Sequence, residues 1–236
     1  MRAIIIGATS GIGEGLAKKM LAEGWQVGVT GRRIELLEAM AATAPDRVFA
    51  ERMDVTDPVA AEAGLAALIE RMGGADMIVV SSGIGRLNKA LETGPELETI
   101  DVNVVGFTHM ALAAIRHFEG AGAGHLVIIS SIASRRGDGA APAYNASKAY
   151  QASYAQGLRK RVARKGLPIT VTDVQPGFVD TAIVQGKVFW LQPVEKAVDQ
   201  IWAGMQARRS RVTVTKRWRF VAWAMQRAPE RLWHKV

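Results

Sequence analysis

Tyr144 and Lys148 stand four residues apart in Tyr144-Asn145-Ala146-Ser147-Lys148, a spacing that places a phenol and an ammonium on one face of a helix. A free phenol loses its proton near pH ~10, so a tyrosine that exchanges protons near neutrality needs its anion stabilised. A neighbouring ammonium does this, and each unit of lowering is about 1.4 kcal/mol of preference for the anion. The pair has the chemistry of a general acid/base. Thirteen positions before Tyr144, Ile128-Ile129-Ser130-Ser131 ends an apolar run in two hydroxyls, either suited to stabilising charge that grows on a substrate oxygen. Asn103 lies within Asp101-Val102-Asn103-Val104-Val105-Gly106, a polar side chain between two valines. Each piece alone is common; their order along one chain is not.

A different chemistry is written near the start. Gly7-Ala8-Thr9-Ser10-Gly11-Ile12-Gly13 follows a short apolar run and precedes a helical pattern. Glycines there permit a tight turn and close approach of backbone to a phosphate, and the helix N-terminus offers unpaired N–H groups. The second strand ends in Thr30-Gly31-Arg32-Arg33. A carboxylate there would accept bonds from ribose hydroxyls and repel a 2′-phosphate. Two guanidiniums do the opposite, since each holds a phosphate through paired charge-assisted bonds. The plainer alternative is that both arginines are surface charges at a helix entry.

Short β-branched runs alternate with longer amphipathic ones along the whole chain, the pattern of βαβ units. Strands are expected over 3–6, 26–30, 48–50, 77–80, 125–130, 169–174 and 211–215, and helices over 12–23, 34–44, 58–72, 95–118, 143–165 and 193–208. The strands are apolar at consecutive positions, as when helices cover both faces of a parallel sheet. The expected fold is α/β, a Rossmann-type doubly wound sheet of about seven strands, with ligands at the strands' carboxyl ends. Residues 1–215 read as one catalytic domain and 216–236 as a basic, aromatic helical extension of it.

Composition removes several function classes. There is no cysteine, so disulfides, thiolate metal sites and cysteine nucleophiles are excluded. His109, His117, His125 and His234 have no partner at ligand spacing, so no metal site is expected. No stretch approaches the ~18 apolar residues of a spanning helix, and no secretory pattern opens the chain; a cytoplasmic protein is expected. The net charge of +8 comes entirely from residue 208 onward, where nine basic residues meet one acid, Glu230.

The glycine loop, Asn103, Ser131, Tyr144-x-x-x-Lys148 and Gln175-Pro176-Gly177-Phe178-Val179-Asp180-Thr181 together resemble the short-chain dehydrogenase/reductase family over residues 1–215. The resemblance implies that Tyr144 is the general acid/base and that Lys148 supports it while hydrogen-bonding the nicotinamide ribose. It gives Ser131 the substrate oxygen, with Ser130 as the alternative. It gives Asn103 a water in the proton relay that leads to Lys148. For the cofactor it implies Gly7, Thr9, Ser10, Gly11, Ile12 and Gly13 around the pyrophosphate, Asp54 and Val55 at the adenine, Ser82 and Gly83 after the fourth strand, and Pro176, Gly177, Val179 and Thr181 near the carboxamide. Asp54 has a second reading as a turn residue. Gly31 stands where NAD-preferring members place Asp, and Arg32 and Arg33 follow, so NADP(H) is favoured over NAD(H). Two departures are Ile6, where the family usually has Thr, and Val80-Ser81-Ser82-Gly83, where it reads Asn-Asn-Ala-Gly.

The implied activity is hydride transfer between NADP(H) and a small-molecule carbonyl or alcohol. The segment 182–192, with Ile183, Val184, Val188, Phe189, Trp190 and Leu191, is the family's substrate lid, and its apolar character points to a moderately hydrophobic ketone or aldehyde. Those side chains are equally suited to packing on the core or on another subunit. Alternatives are a non-catalytic dinucleotide-binding regulator, which has no use for a Ser–Tyr pair, and an acyl-thioester reductase recruited through the basic tail. In the tail, Trp218, Val221, Ala222 and Met225 share a helix face. Family members are usually dimers or tetramers, so a second subunit is the expected cover for that face, ahead of the domain's own surface or an anionic membrane. Arg135 and Arg136 read as solvated loop charges, and no nucleic-acid partner is expected.

Overall fold

The computed structural model describes residues 1–184, 189–227 and 229–233; Val188 and His234 lie outside them. Strands β1 (Arg2–Ile6), β2 (Gln26–Gly31), β3 (Val48–Arg52), β4 (Met77–Val80), β5 (Gly124–Ile129), β6 (Ile169–Pro176) and β7 (Arg211–Val214) pair in parallel as β3-β2-β1-β4-β5-β6-β7. This is the doubly wound sheet that the alternation of elements predicts. Each strand is apolar at consecutive positions because each has two buried faces. In β1, Ala3 and Ile5 join one core while Ile4 and Ile6 join the other. The first core is roofed by α1 (Gly11–Ala22), α2 (Ile34–Ala42) and α7 (Val194–Gln206), through Leu16, Met20, Leu37, Ile201 and Trp202. The second is covered by α3 (Pro58–Arg71), α5 (Phe107–Ala121) and α6 (Pro142–Arg164), through Leu65, Leu68, Phe107, Met110 and Leu158.

The helix expected over 95–118 is three pieces: α4 (Thr93–Ile100), a π-helical turn at Asp101–Gly106, and α5. Two contacts account for the turn. Asn103 is pinned from outside the helix, its Oδ1 accepting from Ile84 N at 2.9 Å and its Nδ2 donating to Ile84 O at 2.8 Å. Gly106 presses on Val55, whose carbonyl oxygen would lie 2.5 Å from any Cβ there. Such widened turns often mark functional positions.

After β7 come α8 (Lys216–Arg227) and α9 (Glu230–Trp233). Trp218 is 2% exposed and forms a small apolar cluster with Ile132, Phe178 and Val221. This corrects the expectation of a second subunit over that face: the same chain covers Trp218, because the turn after β6 presents Gly177 and Phe178 to the ring. The Ala222 side chain lies outside the described residues. Phe220 and Trp223 point the other way and stay exposed. Among the described residues no helix is long and apolar enough to cross a membrane.

Candidate active site

Strand β1 lies between β2 and β4, where the order of strands reverses, and the carboxyl ends of neighbouring strands open a crevice at such a point. The glycine loop forms its floor. Gly7 adopts φ +92°, and a Cβ on it would lie 2.6 Å from Ser82 N, so both the conformation and the space demand glycine. Gly7 N and Ala8 N donate to Thr30 O at 3.0 and 2.8 Å, tying the loop to β2. Gly13 packs on the Gly7 carbonyl, and Ile12 rests on the first core. Ser10 caps α1 in extended conformation without a side-chain bond to its first turn. From the far side Thr181 closes over the loop, its Cγ2 2.9 Å from the position of a Cβ on Gly11. Ser82 Oγ is buried with no hydrogen-bond partner among the described residues.

The two arginines after β2 differ. Arg33 Nη2 donates to Thr9 Oγ1 at 2.8 Å and to Thr9 O at 3.2 Å, so it braces the glycine loop. Arg32 is exposed at the crevice rim. Asp54 accepts from Thr56 N at 3.0 Å and Thr56 Oγ1 at 2.8 Å, the turn geometry that was its second reading. Burial pulls its carboxyl upward, but the Thr56 bonds and the charges of Arg32 and Arg52 outweigh this and hold it below its usual value. Val55 beside it is buried in the second core, and Val179 beyond β6 in the first. The apolar members of the two departures from the family pattern are neighbours: Ile6 and Val80 are register partners across β1 and β4, both in the same core.

Tyr144 stands in the first turn of α6, which Pro142 opens. Burial raises the pKa of its hydroxyl, and Ser131, which stands beside it, pulls in the other direction by less. Ser131 Oγ also accepts from Ala133 N at 3.1 Å and reaches Pro176 O at 3.5 Å. Ser130 is turned away, its hydroxyl given to Asp173 and Val174 O inside the sheet. Strand alternation thus decides which serine meets the phenol. Lys148, one turn beyond Tyr144, is 4% exposed with Nζ 5.8 Å from the Tyr144 ring centre. It donates to Ile129 O at 3.1 Å and Gln151 Oε1 at 3.0 Å. Burial lowers its pKa to about 8, against an upward pull from Asp173.

Space above this group is made by glycines. A Cβ on Gly83 would lie 3.2 Å from Asn103 Oδ1 and 3.4 Å from Lys148 Nζ. One on Gly85 would lie 3.1 Å from Tyr144 Cε2 and 2.7 Å from Ile183 Cγ2 of the lid. Further along, Phe189, Trp190 and Leu191 lie partly open to solvent. Arg135 and Arg136 are not solvated charges. Arg135 is half-buried and bonded to Gln175, while Arg136 donates to Met225 O of α8 at 3.0 Å. Ile84, Gly85, Gln151 and Asp173 also shape the site without having stood out in the sequence. Only Gln151, three residues after Lys148, carried a spacing signal.

The sequence profile of the short chain dehydrogenase family matches residues 1–191. The chain belongs to that family. An uncharacterised oxidoreductase of Staphylococcus aureus is 33% identical over 186 residues, covering 77% of this chain and 79% of its own. A gluconate 5-dehydrogenase of Burkholderia cenocepacia, solved with NADP and tartrate, is 26% identical with a TM-score of 0.71, over 77% of this chain and 72% of that one. A short-chain dehydrogenase from Streptomyces avermitilis, 24% identical, shares the fold over 99% of this chain and 96% of its own, with a TM-score of 0.84. The chain is thus an oxidoreductase of a family with nucleotide-bound structural neighbours, the gluconate 5-dehydrogenase solved with NADP among them, and its glycine-floored crevice ends at the Tyr144, Ser131 and Lys148 side chains.

Proposed function

We propose that this short-chain dehydrogenase reduces the carbonyl of a moderately hydrophobic ketone or aldehyde with NADP(H), Tyr144 being the proton donor. The observation that carries the reading is the Tyr144 ring 5.8 Å from the buried Lys148 ammonium, with Ser131 at its hydroxyl. Ser131 and the Tyr144 hydroxyl would together hold the substrate oxygen, and Ser131 would stabilise charge growing on it. Tyr144 then gives that oxygen its proton, and the Lys148 ammonium stabilises the phenolate left behind. Reversal at the same groups would oxidise the alcohol. The nicotinamide, when bound, supplies or accepts the hydride.

The crevice fits a dinucleotide by its own features. The loop at Gly7, Thr9, Ser10, Gly11, Ile12 and Gly13 leaves backbone room for a pyrophosphate at the α1 N-terminus. The orphaned Ser82 Oγ, Gly83 and the Pro176, Gly177, Val179 and Thr181 turn line its inner end. Asp54 and Val55 flank the adenine position. Arg32, exposed and with no carboxylate at the β2 end, favours a 2′-phosphate and hence NADP(H). Residues 1–215 form the catalytic domain and 216–236 its basic, aromatic extension, in which Trp218 packs on the turn after β6. Self-assembly follows the habit of the family, and the absence of cysteine suits a cytoplasmic setting.

The test is NADPH consumption against a panel of ketones and aldehydes, with Tyr144→Phe alongside. Turnover should vanish in the variant while NADPH binding persists, since only the donor is lost. A variant that keeps more than about a tenth of the rate, a loss worth only ~1.4 kcal/mol, would mean another group is the acid.

A further inference from the structure

Lys148 has a neighbour on its own helix whose amide is used at both ends. Gln151 is 1% exposed and lies one turn on, so its side chain shares the Lys148 face. Its Oε1 accepts from Lys148 Nζ at 3.0 Å, and its Nε2 donates to the Asn103 main-chain oxygen at 2.9 Å. An ammonium only donates and a carbonyl only accepts, so a single orientation of the amide satisfies both. The π-helical turn makes the second bond available. Phe107 N reaches back to Val102 O, not to the Asn103 oxygen that an α-helix would give it. Asn103 is in turn pinned to Ile84 and donates to Ser147 Oγ at 3.1 Å. The resemblance gives Asn103 only a water to hold; in this chain a side chain reaches its carbonyl directly.

We propose that Gln151 is a positioning residue that ties the Lys148 ammonium to the Asn103 turn and holds it, charged, beside Tyr144. The other titratable groups facing Lys148 are Tyr144 on α6 and Asp173 on β6. Asp173 is itself occupied by Ser130 and by Gln175 Nε2 at 2.6 Å. Among the described residues Gln151 is therefore one of two direct acceptors for the ammonium, the other being the Ile129 carbonyl. Its role rests on the proposed reductase chemistry only in how it would affect turnover; the bridge itself is a property of the protein without cofactor.

Two substitutions pull the ammonium in opposite directions. Gln151→Leu removes one acceptor, so Lys148 should titrate roughly one unit or more below its value of about 8, the scale of one hydrogen bond to a charged group. Gln151→Glu places a carboxylate at the same distance and should raise it. The readout is the ¹³Cε shift of Lys148 against pH in labelled apoprotein, assigned with Lys148→Arg. In the active enzyme the alkaline limb of kcat should move the same way in each variant, while KM for the carbonyl changes little. A merely space-filling Gln151 predicts no such opposed shifts. Unchanged titration in both folded variants, or movement in one common direction, overturns the proposal. Should Gln151→Leu not fold, Gln151→Met, which keeps the length and removes both polar ends, takes its place: a fall supports the bridge, and an unchanged or raised titration refutes it. An enzyme that consumed no carbonyl substrate would sink the reductase reading, and the apoprotein titration would still judge Gln151.

Discussion

Lys148 costs the fold stability, and Lys148→Met exposes how much. The ammonium is 4% exposed and titrates near 8, where the open chain titrates at 10.5. That gap, at about 1.4 kcal/mol per unit, amounts to roughly 3 kcal/mol charged against the folded state when the group is protonated in both states. The sign follows from proton binding. Between the two values the unfolded chain holds the proton and the folded protein does not, so stability from this group rises with pH from about 8 to 10.5 and is lowest below 8. Methionine keeps the stem and removes the charge, but leaves the Ile129 carbonyl and Gln151 Oε1 without their donor. Those losses, about 1–3 kcal/mol each, largely offset the gain at pH 7. The diagnostic is therefore the pH dependence. Urea unfolding of the apoproteins, followed by tryptophan fluorescence and circular dichroism, should show wild type gaining on the variant by about 2–3 kcal/mol between pH 7 and pH 10. Other lysines and tyrosines cancel in the difference. Parallel profiles, within ~0.5 kcal/mol across that range, would refute the claim that Lys148 is a destabilising buried cation. Activity should be lost whatever the stability, a trade typical of functional sites.

Arg32→Asp should weaken NADPH by roughly 1.5–3 kcal/mol and favour NADH relatively, as one charge-assisted contact is replaced by repulsion. Calorimetric titration of both nucleotides checks it, and equal binding of the two by the wild type would remove the argument. Trp218→Ala should cost about 3 kcal/mol, the lower end for a buried tryptophan, because a helix at the chain's end can settle into part of the space. Its ring centre lies 5.3 Å from both Phe178 and Phe189, so α8 should loosen and trypsin should cut faster at Arg217 and Arg227 while oligomer mass holds steady. Cleavage at the wild-type rate would show that Trp218 does not anchor the tail.

Much of this molecule is local and therefore legible along the chain. The Tyr144–Lys148 pair needs only helical spacing, and the glycine loop needs only a strand before it and a helix after. The two-faced burial of β1 is visible in four consecutive apolar residues. Arg32 and Gly31 declare the charge at the β2 end by type alone. Other features depend on contacts between distant segments. Ser130 and Ser131 are indistinguishable in a string, and the pairing of β5 with β6 is what turns one to Asp173 and the other to Tyr144. The Asn103 turn widens because Ile84 and Val55, remote in sequence, press on it. Ile6 and Val80 look like two unrelated departures until register makes them neighbours. Arg136 and Trp218 reveal the partner of the tail only when the turn at Ile132–Arg135, the loop after β6 and α8 are assembled, since a helical face states that it must be covered and not by what. Spacing encodes which groups can act together within one element; burial, register and the polarity of each hydrogen bond arise only when elements far apart in the chain share a surface.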